Sequence, residues 1–169
     1  MTAALFEPEA ILAALEDAGV KYVVIGGLAA ILQGAPTLTQ DLDICPARDV
    51  QNLERLAVAL RAVSARIRTS DAPDGIPFAC DAEFFARVEL VNLVTRYGEL
   101  DVAFIPSGTT GYEELVIRAR PLELSAHLAP PIAALEDIIR SKEAAGRPKD
   151  IAVLPTLRTL LAEITRRGG

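Results

Sequence analysis

The stretch Val20-Lys21-Tyr22-Val23-Val24-Ile25-Gly26-Gly27, followed after thirteen intervening residues by Asp41-Leu42-Asp43-Ile44-Cys45, decides how this chain is read. The first part is a short β-branched run and predicts a buried strand that stops at a glycine pair. Residues 28–33 are rich in Ala and Leu and predict a helix ended by Gly34. A second strand is expected over 38–45, closed by Pro46. Alternate side chains of a strand face opposite ways. Asp41 and Asp43 therefore share one face, with Cα atoms roughly 6.6 Å apart, while Leu42 and Ile44 turn into the core. Two carboxylates this close repel each other. A magnesium or manganese ion between them removes the conflict and suits hard oxygen ligands. Alone, Asp-Leu-Asp is also the pattern of a solvated sheet face, and Gly-Gly that of a tight turn. Their succession on one chain favours an anion site at a helix start beside a pair of metal ligands.

A third carboxylate comes from further along. Residues 88–95 and 99–105 are strand-like and flank Arg96-Tyr97-Gly98, which predicts a hairpin. Asp101 lies near the start of its second strand, with Glu99 on the same face as a second neighbour of the site or a solvated turn residue. If this strand lies beside the first Asp pair, three carboxylates converge, enough to hold two ions ~3.5–4 Å apart. Helices are expected over 8–18, 49–63 and 132–145, the last stopped by Gly146, with a final helix from Pro148 to about 164. Thr110 and Glu113 read as a capping box for a helix to about 119, and 122–128 as an edge strand. Residues 64–87 carry no clear period and predict a loop with one or two short strands around Pro73-Asp74-Gly75. The expected class is α/β (α+β): a mixed twisted sheet flanked by helices, with a helical C-terminal segment. One domain, 1–169, is expected, with a core over 1–128 and helices over 130–169 packed on it.

Composition narrows the partners. The net charge of −6 excludes a strongly basic nucleic-acid footprint. Two cysteines without a CxxC spacing argue against structural zinc and fit a reducing cytoplasm. No secretory signal is read in residues 1–9, and the longest apolar stretch, 22–32, is far short of the ~20 residues that cross a membrane. Cys45 stands two positions beyond Asp43 and is expected near the site, but the single histidine, His127, is too remote in sequence to suggest a Cys–His pair. Lys142 shares the apolar stripe of its helix and either snorkels or reaches phosphate. Lys149 is a second phosphate candidate, and Asp150 is expected to cap a helix or pair with a lysine.

Ile25-Gly26-Gly27 followed by Asp41-Leu42-Asp43-Ile44, with Glu99-Leu100-Asp101-Val102 downstream, resembles the signature of the nucleotidyltransferases related to DNA polymerase beta. Residues 134–142 and Ala145-Gly146-Arg147-Pro148-Lys149-Asp150 resemble the small bacterial and archaeal members that include the AbiEii-type toxins of toxin–antitoxin systems. The resemblance spans roughly 20–157. It implies a nucleotidyltransferase fold and transfer of a nucleoside monophosphate from a nucleoside triphosphate to a hydroxyl of RNA (such as a tRNA end), a protein or a small molecule. By the same resemblance Asp41, Asp43 and Asp101 are metal-binding and catalytic, with Mg2+ or Mn2+ as cofactor. Gly26, Gly27, Thr39, Lys142 and Lys149 then bind the nucleotide. An antitoxin partner comes with this expectation; separately, apolar residues on the last helix read either as a homodimer contact or as core contacts. The chain departs from relatives at Thr37, where an arginine is common, and at Val153, where an aspartate is common. Those departures motivate the alternative of a non-catalytic module that senses nucleotides or binds a protein.

Overall fold

A computed structural model describes residues 5–168. Residues 1–4, part of the stretch read as free of a secretory signal, and Gly169 lie outside the described residues. Helix α1 (Pro8–Asp17) begins on Pro8, whose fixed φ suits a first turn, and buries Ile11, Leu12 and Leu15 completely. Strand β1 (Tyr22–Ile25) runs directly into α2 (Gly26–Leu32). Strand β2 (Asp41–Pro46) leads to α3 (Val50–Ala62), which Asp49 caps by accepting the Asn52 N–H at 3.0 Å. Strand β3 (Arg66–Ile67), helix α4 (Ala82–Ala86) and the hairpin β4 (Leu90–Thr95) and β5 (Gly98–Ala103) follow. Helix α5 (Tyr112–Arg118), the short strands β6 (Arg120–Pro121) and β7 (Pro131–Ile132), and helices α6 (Leu135–Ala145) and α7 (Pro148–Gly168) complete the chain. None of the described helices is long and apolar enough to cross a membrane.

The seven strands form one mixed sheet in the order β3-β4-β5-β2-β1-β7-β6. Strand β2 is antiparallel to β1 and parallel to β5, so the centre of the sheet joins segments remote in sequence. One face is apolar. Leu42, Ile44, Leu93, Leu100 and Val102 are buried there in a single core with the stripes of α1 and α3. Burial of each such side chain is worth ~1.5–3 kcal/mol, which fixes the register, because a one-residue slip would exchange the faces. Fully buried Asn52 ties α3 to the ends of β1 and β2: its Oδ1 accepts the Lys21 N–H at 2.7 Å, and its amide donates to Lys21 O at 3.0 Å and Ala47 O at 2.7 Å.

The sheet, hairpin and major helices agree with the pattern read from sequence, and six local expectations do not. Residues 38–40 have no strand partner, so β2 begins only at Asp41 and Leu38 lies in solvent at 99% exposure. Within 64–87, residues 82–86 are helical and capped by Asp81, with Phe84 packed against Phe78 in a tilted pair and against Phe85 edge-to-face, at centroid distances of 4.8 and 5.2 Å. The edge pairing falls on β6 and β7, while 122–128 form a turn closed by a Ser125–Leu128 bridge; Ile132 belongs to β7, so α6 starts at Leu135. Thr110 donates to Glu114, not Glu113, at 2.9 Å, and Gly111 is the N-cap. The last helix continues through Pro155 to Gly168.

Candidate active site

The polar face of the sheet carries the acids. Register places Ile25 opposite Asp43 and Asp43 opposite Asp101, so β2 and β5 present their carboxylates in one row. Asp41 stands one pleat away. One oxygen from each of the three lies within 4.8 Å of the others. Burial, reinforced by the charges of Asp41 and Asp101, pushes Asp43 up to about 7 against the pull of Lys142 and Lys149. Burial likewise pushes Asp101 up to about 6, although Arg68 pulls it down. Oxygen donors crowded this closely and short of positive charge suit a hard divalent cation.

Each carboxylate has its own support. The Thr39 hydroxyl donates to Asp41 Oδ1 at 2.9 Å. Asp43 lies against Gly26: at φ +69°, a Cβ there would come within 2.5 Å of Asp43 Oδ2. A side chain at Gly27 would press on Thr39 Oγ1 at 3.2 Å. The glycine pair thus lets the start of α2 close down on the acids. Asp101 is held from the other side by Arg68, whose Nη2 donates to Oδ1 at 2.6 Å while Nη1 lies 3.4 Å from Glu99. Arg68 is itself fixed to β4 by its main-chain N–H on Asn92 O at 2.9 Å.

Asp41, Asp43 and Asp101 line a cleft of about 660 Å³ between the sheet and α6–α7. Gly26, Gly27, Thr39, Lys142 and Lys149 all line it. Lys142 lies 3.5 Å from Asp150, which is fully buried and accepts from Arg147 Nε at 2.7 Å. Burial pushes Asp150 up, but its hydrogen bond and charge contact with Arg147 outweigh burial and hold the carboxyl below the usual range. Asp150 is thereby structural, joining the end of α6 to the start of α7. A second cavity of about 330 Å³, bounded by Arg118, Arg120 and Leu161 among others, contains none of the acid triad.

Cys45 corrects an expectation. It is wholly buried, directs Sγ to Phe104 O at 3.6 Å and does not line the cleft; burial pushes its thiol up to about 12. His127 is exposed, on the turn after β6. Two supporting residues were not found from sequence. Arg68 sits in the aperiodic region, where the polar–apolar–polar run Arg66-Ile67-Arg68 was the one available sign of an edge strand. Asp137 lines the cleft while buried, paired with Arg118 and Arg140, and its Oδ2 has no partner among the described residues.

A family model described as Aminoglycoside-2''-adenylyltransferase matches residues 9–110, which include the glycine pair and all three acids of the triad. The chain belongs to the aminoglycoside-2''-adenylyltransferase family. It is a nucleotidyltransferase. Its fold is shared by a Thermotoga maritima protein assigned to the nucleotidyltransferases, at 21% identity over 95% of this chain and 97% of that one, with a TM-score of 0.54. The lincosamide antibiotic adenylyltransferase LnuA, in its lincomycin-bound crystal structure, has 16% identity over 93% and 99% of the two chains and a TM-score of 0.60. The antibiotic-resistance factor ANT(2'')-Ia, in solution, has 14% identity over 95% and 90%, with a TM-score of 0.55. No curated protein matches in sequence. The superfamily expected from sequence is thus met, and the AbiEii-type resemblance has no counterpart among these matches.

Proposed function

We propose that the protein transfers a nucleoside monophosphate, most simply AMP from ATP, to a hydroxyl of a small antibiotic-like molecule. The observation that carries this reading is the Asp41–Asp43–Asp101 cluster facing Lys142 and Lys149 across one cleft. The family and the small-molecule enzymes that share the fold support a small acceptor. No cleft feature among the described residues favours a tRNA end, a protein hydroxyl or an antitoxin over it. ATP and magnesium are both abundant in the cytoplasm, the expected location.

Asp41, Asp43 and Asp101 would hold Mg2+, and the donor set fits it: three hard oxygens within mutual reach, with burial opposing their unshielded charge. When bound, the ion would neutralise phosphate charge and favour the ionised acceptor oxygen. Lys142 and Lys149 bind the β- and γ-phosphates, and the backbone at Gly26 and Gly27 lets the tail approach Asp43. Asp101 takes the proton of the acceptor hydroxyl. The acceptor oxygen bonds to the α-phosphorus, the bond from that phosphorus to the bridging oxygen breaks, and pyrophosphate leaves. Thr39 and Arg68 keep two of the carboxylates oriented.

The test supplies α-labelled ATP, Mg2+ and a panel of hydroxyl acceptors to the full chain. Label should appear on one acceptor with equimolar pyrophosphate, and Asp41→Asn and Asp101→Asn should each abolish it. Undiminished transfer by either variant refutes the assignment.

A further inference from the structure

The junction of α6 and α7 places one more cation in the cleft. Gly146, at φ +62°, turns the chain between the two helices, and Arg147 follows it directly into the cleft lining. The Arg147 guanidinium lies side-on to Asp150: Nε donates to Oδ2 at 2.7 Å and Nη2 to Oδ1 at 3.2 Å. The Arg147 main-chain N–H also donates to Oδ2, at 3.3 Å. Asp150 is fully buried, so its carboxylate is immobile and fixes the plane of the guanidinium. The remaining N–H groups of Arg147 have no acceptor among the described residues.

Neutralising Asp150 does not require this arginine. Lys142, with a side chain only 19% exposed, already stands 3.5 Å from the same carboxylate. One negative charge between two cations leaves a positive surplus on the cleft wall. Lys149, which has no ion-pair partner among the described residues, adds to it. The acids stand on the sheet across the cleft. Lys142 and Lys149 act on Asp43, whereas the charged form of Arg147 is favoured first by Asp150 and then by both Asp43 and Asp101. Those two acids are register partners on β2 and β5. The guanidinium therefore bears on the middle of the acid cluster, where the reacting phosphorus belongs, and the lysines on the tail behind it.

In-line transfer breaks the bond from the α-phosphorus to the bridging oxygen, and its electron pair leaves on pyrophosphate. Negative charge grows on that oxygen only as the bond breaks. A donor already held in place meets it without reorganising. Resting on the transfer reaction proposed above, we infer that Arg147 is a catalytic residue that donates to the bridging oxygen as pyrophosphate departs, and that Asp150 is the positioning residue that aims it. Asp150 thus does more than join two helices. Because the contact strengthens only in the transition state, Arg147 acts on kcat, while the lysines act on ATP binding.

The experiment uses the full chain with Mg2+, α-labelled ATP and an acceptor that the wild type labels. Calorimetry with ATP and Mg2+ comes first, with thermal unfolding of each variant. Arg147→Ala should lower kcat roughly 100-fold or more, with the KM for ATP nearly unchanged. Added guanidinium ion should restore part of that rate and leave the wild type unmoved, a response that a merely structural arginine would not give. Arg147→Lys keeps a cation on buried Asp150, which protects the fold, but lacks the fork and should recover only part of the rate. Asp150→Asn should also lower kcat, and combining it with Arg147→Ala should cost little more than Arg147→Ala alone. Full kcat in Arg147→Ala, a loss confined to the KM for ATP, or no response to guanidinium overturns the inference. A wild type that binds no ATP defeats the transfer reading instead, which separates the two failures.

Discussion

Replacing Asp43 by asparagine should stabilise the metal-free protein, the reverse of what a polar substitution in a packed site usually does. Asp43 is pushed from the ordinary 3.8 up to about 7, first by burial and then by Asp41 and Asp101. Above pH 7 the folded protein therefore keeps a charge that the unfolded chain carries more easily. Each pKa unit corresponds to ~1.4 kcal/mol, so the gap amounts to roughly 4 kcal/mol at most, and structural relaxation brings the expected gain nearer ~2 kcal/mol. The sign follows from the raised value. Folding favours the protonated carboxyl, so this contribution is intact below pH 3.8 and is lost as pH rises through about 7. Asp101 remains in both proteins and largely cancels. The assay is thermal unfolding by circular dichroism in chelator from pH 4 to 8. The variant should match wild type near pH 4 and melt higher at pH 8, by ~4–8 °C. Adding Mg2+ should raise the wild-type midpoint at pH 8 and leave the variant nearly unmoved. A variant less stable than wild type at pH 8 in chelator would refute the electrostatic reasoning.

Three further outcomes follow from the same geometry. Gly26→Ala forces a side chain into a left-handed backbone and against Asp43, so steady-state kinetics should show kcat down by ~100-fold, with ~1–2 kcal/mol lost in denaturant titration. Arg68→Ala frees Asp101 from its guanidinium and should lower kcat ~10–100-fold with little change in the KM for ATP; Arg68→Lys should recover part of it, and full activity in Arg68→Ala would exclude the role. Lys142→Ala leaves Asp150 with Arg147 and should raise the KM for ATP ~10-fold or more, read by initial rates against ATP concentration.

The central strands were legible because their signals are local. The β-branched run before Gly26, the alternation around Asp41 and Asp43, and the glycine turn before Asp101 each lie within a few residues. The ends of elements were less so. Leu38 looks like a strand residue, but β-pairing needs a partner, and none reaches it. Residues 122–128 fail as an edge strand for the same reason, since the available edge lies at Pro131–Ile132. Phe78, Phe84 and Phe85 form a cluster that fixes α4, and five helical residues are too few to announce a 3.6-residue period.

By itself, the sequence determined which residues face which way and which carry charge: apolar Leu42 and Ile44 against acidic Asp41 and Asp43, glycines where the chain must come close, lysines late on a helical stripe. These follow from strand and helix periodicity and from the size of side chains. Tertiary structure alone decided the parallel pairing that sets Asp43 beside Asp101, the arginine next to an edge strand that holds Asp101, and the withdrawal of Cys45 into the core. Those depend on contacts between segments tens of residues apart, where sheet order is chosen by burial of the whole apolar face and not by any local pattern.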